Sequence, residues 1–92
     1  MADPHDVDIL DADTLLELED LCRVCGVDVA WIEEMTAYGV VAPSAGARYT
    51  AIAIARLRKA RRLEQDFALN ASGVALVLDL LDEIEHLRAR LR

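Results

Sequence analysis

The chain has 92 residues, with 17 acidic and 10 basic side chains and a formal net charge of −7. That length allows one small domain, and the Ala- and Leu-rich composition, with only 4% aromatics, favours helix over sheet or disorder. The negative charge argues against whole-molecule attraction to nucleic acid or anionic membrane, and no stretch approaches the roughly 20 apolar residues of a membrane span.

Residues 1–13 are Asp-rich and read as an acidic N-terminal tail, although Val7 and Ile9 alternate with Asp as in a short edge strand. Such a start lacks the basic region and apolar run of a secretory signal, so the expected location is cytoplasmic. Thr14 to Leu18 fits a short strand. A first helix is expected from about Glu19 to Cys25, stopped by Gly26. Asp28 is placed to cap a second helix, Val29 to Tyr38, whose apolar side is Trp31, Ile32 and Met35 and which ends at Gly39. Two short helices around a Gly-containing turn have helix-turn-helix spacing.

Val40-Val41-Ala42-Pro43 reads as extended, because Pro43 biases Ala42 away from helix. With Ser44 to Ala47 as the turn and Arg48-Tyr49 leading out, the segment is expected to form a small β-hairpin wing. Thr50 then caps a third helix, Ala51 to Phe67, with Ile54, Leu57 and Leu63 facing inward. Asn70 caps a fourth that runs to the C-terminus. The organisation expected is therefore an acidic tail (1–13), a winged helix-turn-helix (14–69) and a C-terminal helix (70–92).

The fourth helix has the sharpest pattern. Val77, Leu80, Ile84, Leu87 and Leu91 step by three and four, the a/d seam of a coiled coil. Val74, Leu78 and Leu81 form a second strip beside it. One helix of so small a domain cannot bury both strips internally, so one packs on the domain and the other meets a second copy of the chain. A homodimer is expected, with those five seam residues at its interface.

Charge is unevenly spread. Residues 1–34 hold eleven acids against Arg23 alone, whereas Arg56, Arg58, Lys59, Arg61 and Arg62 face only Glu64 and Asp66 within residues 56–66. That basic run lacks interleaved aromatics, so it reads as solvated or set against the chain's own acids rather than as a nucleic-acid patch. Cys22 and Cys25 form a CxxC, but a zinc site needs four ligands, and only His5 and His86 remain as candidates; they read as a half-buried helical face with no metal. His86 has no nucleophile or second base beside it, Ser44 and Ser72 have no nearby histidine, and no Gly-rich phosphate loop exists. No enzymatic activity and no cofactor are expected.

The segments Leu18-Glu19-Asp20-Leu21-Cys22, Cys25-Gly26-Val27, Ile32-Glu33-Glu34-Met35, Tyr38-Gly39-Val40-Val41-Ala42-Pro43 and Arg48-Tyr49 together resemble the MerR-type winged helix-turn-helix. The resemblance covers residues from about 15 to 92 and implies a mainly all-α fold with a hairpin wing and a long C-terminal dimerisation helix. MerR regulators read DNA with a second helix rich in Arg and aromatic residues. Here that helix carries Glu33 and Glu34 and no base, and carboxylates are repelled by a phosphate-lined groove. Arg48 in the wing is the one remaining candidate for a DNA contact.

The run Leu78-Asp79-Leu80-Leu81-Asp82-Glu83-Ile84-Glu85-His86-Leu87, with the Leu-Cys segment, the acidic second helix and the Gly-Val-Val-Ala-Pro step, is similar to the chaperone modulator CbpM family. That resemblance implies a dimeric, non-enzymatic inhibitor which binds the J-domain of a DnaJ/CbpA-like co-chaperone and blocks its action on DnaK. J-domains dock through a basic helix beside a His-Pro-Asp loop. A competitor needs an acidic surface with an apolar anchor, and Glu17, Asp20, Trp31, Glu33, Glu34, Asp79, Asp82 and Glu83 supply those side chains. The alternative is a dimeric, MerR-like DNA-binding transcriptional regulator.

Overall fold

The computed structural model describes residues 14–91, in which four helices pack around one apolar core and a minimal sheet ties Leu15 and Leu16 to the residues just before the third helix. In chain order these are β1 (Leu15–Leu16), α1 (Leu18–Cys25), α2 (Val29–Ala37), β2 (Tyr49–Thr50), α3 (Ala51–Phe67) and α4 (Ala71–Arg90). The expected strand at Val7 and Ile9 lies outside the described residues.

Local chemistry sets the helix boundaries. Gly26 takes a left-handed φ of 68°, a conformation free of steric cost only for glycine, and this lets its own N–H and that of Val27 return to the Cys22 carbonyl. The chain then reverses into α2, where the Asp28 side chain accepts the Trp31 backbone N–H at 2.9 Å. Gly39, with φ 78°, ends α2 and turns Val40 and Val41 back into the core, the Val40 N–H donating to the Met35 carbonyl at 2.9 Å. Asn70 caps α4 by accepting the Gly73 N–H at 2.9 Å. Thr50 occupies the N-cap position of α3, but its hydroxyl makes no capping bond.

The core is wholly apolar among the described residues. Leu21 of α1, Ile32 and Met35 of α2, Val40, Ile54 and Leu57 of α3, and Val74 and Leu78 of α4 are its fully buried large side chains. Ala53 and Ala60 complete the buried stripe of α3 and allow α1 and α4 to approach it closely. Leu63, expected to face inward, is only partly buried at the edge of this cluster.

Two details depart from the sequence reading. The small antiparallel sheet is not a hairpin within the wing: Leu15 pairs with Thr50 and Leu16 with Tyr49. Pro43 has no N–H to give a ladder, and Val40 and Val41 are drawn into the core, so the wing residues Ala45–Ala47 form a single 3-10 turn, closed by the Ser44 N–H donating to the Arg48 carbonyl at 2.6 Å. The strip Val74, Leu78, Leu81 is also shorter than expected. Val74 and Leu78 are buried, but every residue from Asp79 to Leu91 is exposed, because α4 leaves the domain body there.

Candidate partner-docking surface

The second helix of the helix-turn-helix presents carboxylates outward. Ile32 and Met35 point into the core, which leaves Ala30, Glu33, Glu34 and Ala37 on the exposed side. Glu33 and Glu34 carry no ion pair among the described residues. At the end of the same face stands Tyr38, four residues after Glu34 and half exposed. Tyr38 is not among the residues expected to meet a partner, although its i, i+4 relation to Glu34 places it beside the carboxylates.

The other expected contact residues fall into two groups. Four are already engaged within the chain. Glu17 pairs with Arg48 at 2.8 Å, and Asp20 with Arg23 one turn along α1. Asp82 accepts two hydrogen bonds from Arg56, at 2.9 and 3.1 Å. Trp31 is half-buried; its indole N–H donates to the Glu64 carboxylate at 2.9 Å, and the Arg61 guanidinium lies 5.9 Å from the ring centroid. An aromatic ring whose N–H is already bonded and whose face carries a guanidinium has less to offer an outside partner. Asp79 and Glu83 of α4, by contrast, are exposed and without an ion pair among the described residues.

Arg56 joins these two groups of elements. It is half-buried, donates from Nε to the Val40 carbonyl at 2.6 Å and reaches Asp82 with Nη1. It thus links the segment that follows α2 to the point where α4 leaves the domain. α2 and α4 also touch directly. Nothing local in the sequence marks the Arg56 bridge, since Asp82 lies 26 residues away.

The basic run is partly neutralised. Arg56 is committed as described, Arg61 lies 3.8 Å from Glu64, and Arg58, Lys59 and Arg62 are exposed. The wing cation Arg48 is tied to Glu17, which occupies the one residue expected to reach DNA from the wing.

Cys22 and Cys25 are half-buried free thiols one turn apart on α1. Burial pushes both thiols above the ordinary range, with Asp28 and Glu19 adding to the effect at Cys22 and Arg58 opposing it at Cys25. Among the described residues no group of three metal-ligating side chains converges, and no helix is long and apolar enough to cross a membrane. His86 is exposed on α4, and the Ser72 hydroxyl is spent on the Asn70 cap.

The seam of α4 is open to solvent. Val77 is half-buried, while Leu80, Ile84 and Leu87 are about half exposed and Leu91 almost fully so. The carboxylate of Glu83 occupies a position flanking it, with Asp79 one turn earlier on the same side of the helix.

The family described as MerR HTH family regulatory protein matches residues 16–92. The chain is 33% identical over 78 residues to the chaperone modulatory protein CbpM of Pseudomonas entomophila (strain L48), covering 80% of this chain and 77% of that one. It is 28% identical over 88 residues to the chaperone modulatory protein CbpM of Coxiella burnetii (strain Dugway 5J108-111), covering 91% and 83%. A third relative of the same name, from Pseudomonas putida (strain W619), is 31% identical over 78 residues, covering 80% and 77%. No solved structure matches the chain significantly. These relatives are named for modulation, a regulatory rather than an enzymatic role. With an acidic second helix on a helix-turn-helix body, and with this similarity along most of its length, the chain belongs to the MerR helix-turn-helix family and, within it, to the CbpM family of chaperone modulatory proteins.

Proposed function

We propose that this chain modulates a chaperone system by binding the J-domain of a DnaJ/CbpA-like co-chaperone and preventing that domain from acting on DnaK. The observation that carries the reading is the outward face of α2: Glu33 and Glu34 are exposed and the helix bears no cation. A surface of that sign attracts a basic helix and repels a phosphate backbone. Asp79 and Glu83 on the adjoining α4 extend the same sign. Glu17, Asp20, Trp31 and Asp82, engaged within the chain, serve the surface as supports rather than as direct contacts. The chain acts as a homodimer through Val77, Leu80, Ile84, Leu87 and Leu91, whose exposure is otherwise uncompensated.

The test is the ATPase rate of DnaK with its J-domain protein. Adding the chain is expected to remove the stimulation and leave the basal rate unchanged. Full stimulation at saturating chain contradicts the proposal.

The competing reading, a dimeric DNA-binding regulator, draws on the family match and on the exposed Arg58, Lys59 and Arg62. It requires α2 to enter a groove lined by phosphates with two carboxylates leading. A mobility-shift assay separates the two: tight, salt-sensitive binding of a duplex favours the regulator.

A further inference from the structure

The cations of the domain body are of two kinds. Arg23, Arg48, Arg56 and Arg61 each stand beside a carboxylate. Arg58, Lys59 and Arg62 of α3 are exposed and have no ion pair among the described residues. Arg58 and Arg62 are four residues apart, and Lys59 and Arg62 three, so these like charges are neighbours on one side of the helix and repel each other. The same side begins at Ile52, which is 61% exposed; Ile52, Ala55, Lys59 and Arg62 follow at steps of three and four, and all are exposed. The strip is apolar at its start and cationic beyond.

Its start lies where residues 1–13 join the domain. Those residues hold Asp3, Asp6, Asp8, Asp11 and Asp13, interleaved with Val7, Ile9 and Leu10, and no lysine or arginine. They lead through Thr14 into β1, where Leu15 pairs with Thr50, the N-cap residue of α3. Because β1 and β2 are antiparallel, the path from Leu16 back through Leu15 runs in the same sense as the path from Tyr49 through Thr50 into α3.

We propose that residues 1–13 dock along this strip of their own chain, with aspartates on Arg58, Lys59 and Arg62 and an interleaved apolar side chain on Ile52. The acidic segment is then an internal counter-charge that covers the exposed cations of α3 and keeps polyanions, nucleic acid among them, away from the helix-turn-helix body.

Length and charge both favour this occupant. Ala51 to Arg62 spans roughly 17 Å of helix at about 1.5 Å per residue, a distance that about five residues of extended chain cover at about 3.3 Å each. Asp11 thus comes level with Lys59 and Asp8 with Arg62. Each exposed ion pair is weak on its own. The segment is tethered at the foot of the strip, however, so its effective concentration there is on the order of millimolar. An acidic surface of a second copy or a foreign polyanion has no such advantage.

Lys59 is the only lysine of the chain, which makes the test specific. A carbodiimide activates carboxylates and joins them to an amine in direct contact, forming an amide with no spacer. The full chain, as an equal mixture of unlabelled and nitrogen-15-labelled protein, is treated in this way, digested and sequenced by fragment-ion mass spectrometry. Lys59 is expected to be joined to aspartates of residues 1–13, Asp8 and Asp11 foremost, in products of a single isotope composition. The yield is expected to fall at least about threefold in about 1 M salt, and likewise in the Arg58→Gln, Arg62→Gln variant. Both substitutions are at exposed positions, so folding should persist. Absence of a link, or links of Lys59 confined to carboxylates outside residues 1–13, would overturn the proposal. Products of mixed isotope composition would overturn it as well, by assigning the segment to another copy. A yield indifferent to salt and to both arginines would do the same, because it would report the tether alone.

Discussion

Trp31 shows how neighbours decide what a side chain is free to do. Its position among Ile32 and Met35 was legible in the sequence, as was the burial of those two. Its indole N–H bond to Glu64 was not, because Glu64 lies 33 residues away on another helix. The bond gives Trp31 a role in holding α2 on α3. Trp31→Phe removes the donor and leaves most of the apolar body. It should lower stability by about 1 kcal/mol in denaturant titration and leave the affinity for a J-domain within about threefold. A variant that kept full stability but lost the partner would reverse that assignment. The two thiols make a second residue-scale case. Burial favours the neutral thiol, so each folded pKa lies above its unfolded value. Their contribution to stability is therefore present below the unfolded thiol range and is lost as pH rises through the folded pKa. At mildly alkaline pH, alkylation of Cys22 and Cys25 by iodoacetamide should run slower in the folded chain than in the denatured one. Equal rates would show that the thiols are not held in a desolvated face.

At the scale of elements, the helices were legible because their punctuation is chemical and local. Gly26, Asp28, Gly39 and Asn70 set boundaries within a residue or two of those expected. The sheet was less legible. A two-residue strand carries no periodicity, and its partner is chosen by tertiary packing rather than by local sequence, so Tyr49 and Thr50 pair with Leu15 and Leu16 rather than with the wing. α4 combines both situations. Its stepping of three and four was plain in the sequence, but the point at which its side chains cease to be buried, after Leu78, is set by tertiary packing. That geometry strands Leu81 at the surface although it continues the strip of Val74 and Leu78. The seam now makes a direct prediction. Leu80→Asp with Leu87→Asp removes two exposed apolar side chains and none of the core. Circular dichroism of the body should therefore stay unchanged while light scattering reports a monomer; an unchanged dimer mass would move the interface elsewhere.

At the scale of the whole molecule, a helix-turn-helix body carries an acidic second helix, with Glu33 and Glu34 facing outward. The sign of α2 was legible from Glu33 and Glu34 alone. The fate of the remaining candidates was not, because Glu17, Asp20 and Asp82 find cations on the chain itself, two of them far along the sequence. What remains for a partner is the outward side of α2, ending in Tyr38, together with Asp79 and Glu83 on the adjoining helix. Charge pairs at such a surface set the partner and the rate of encounter, and they weaken as salt rises. Calorimetric titration of the chain with a J-domain protein at low ionic strength, beside the Glu33→Lys, Glu34→Lys variant, puts this to the test. The account predicts saturable binding that declines with added salt and falls at least about tenfold on charge reversal. No binding at low salt with both proteins folded, or a reversed α2 that binds as tightly as the original, would contradict it.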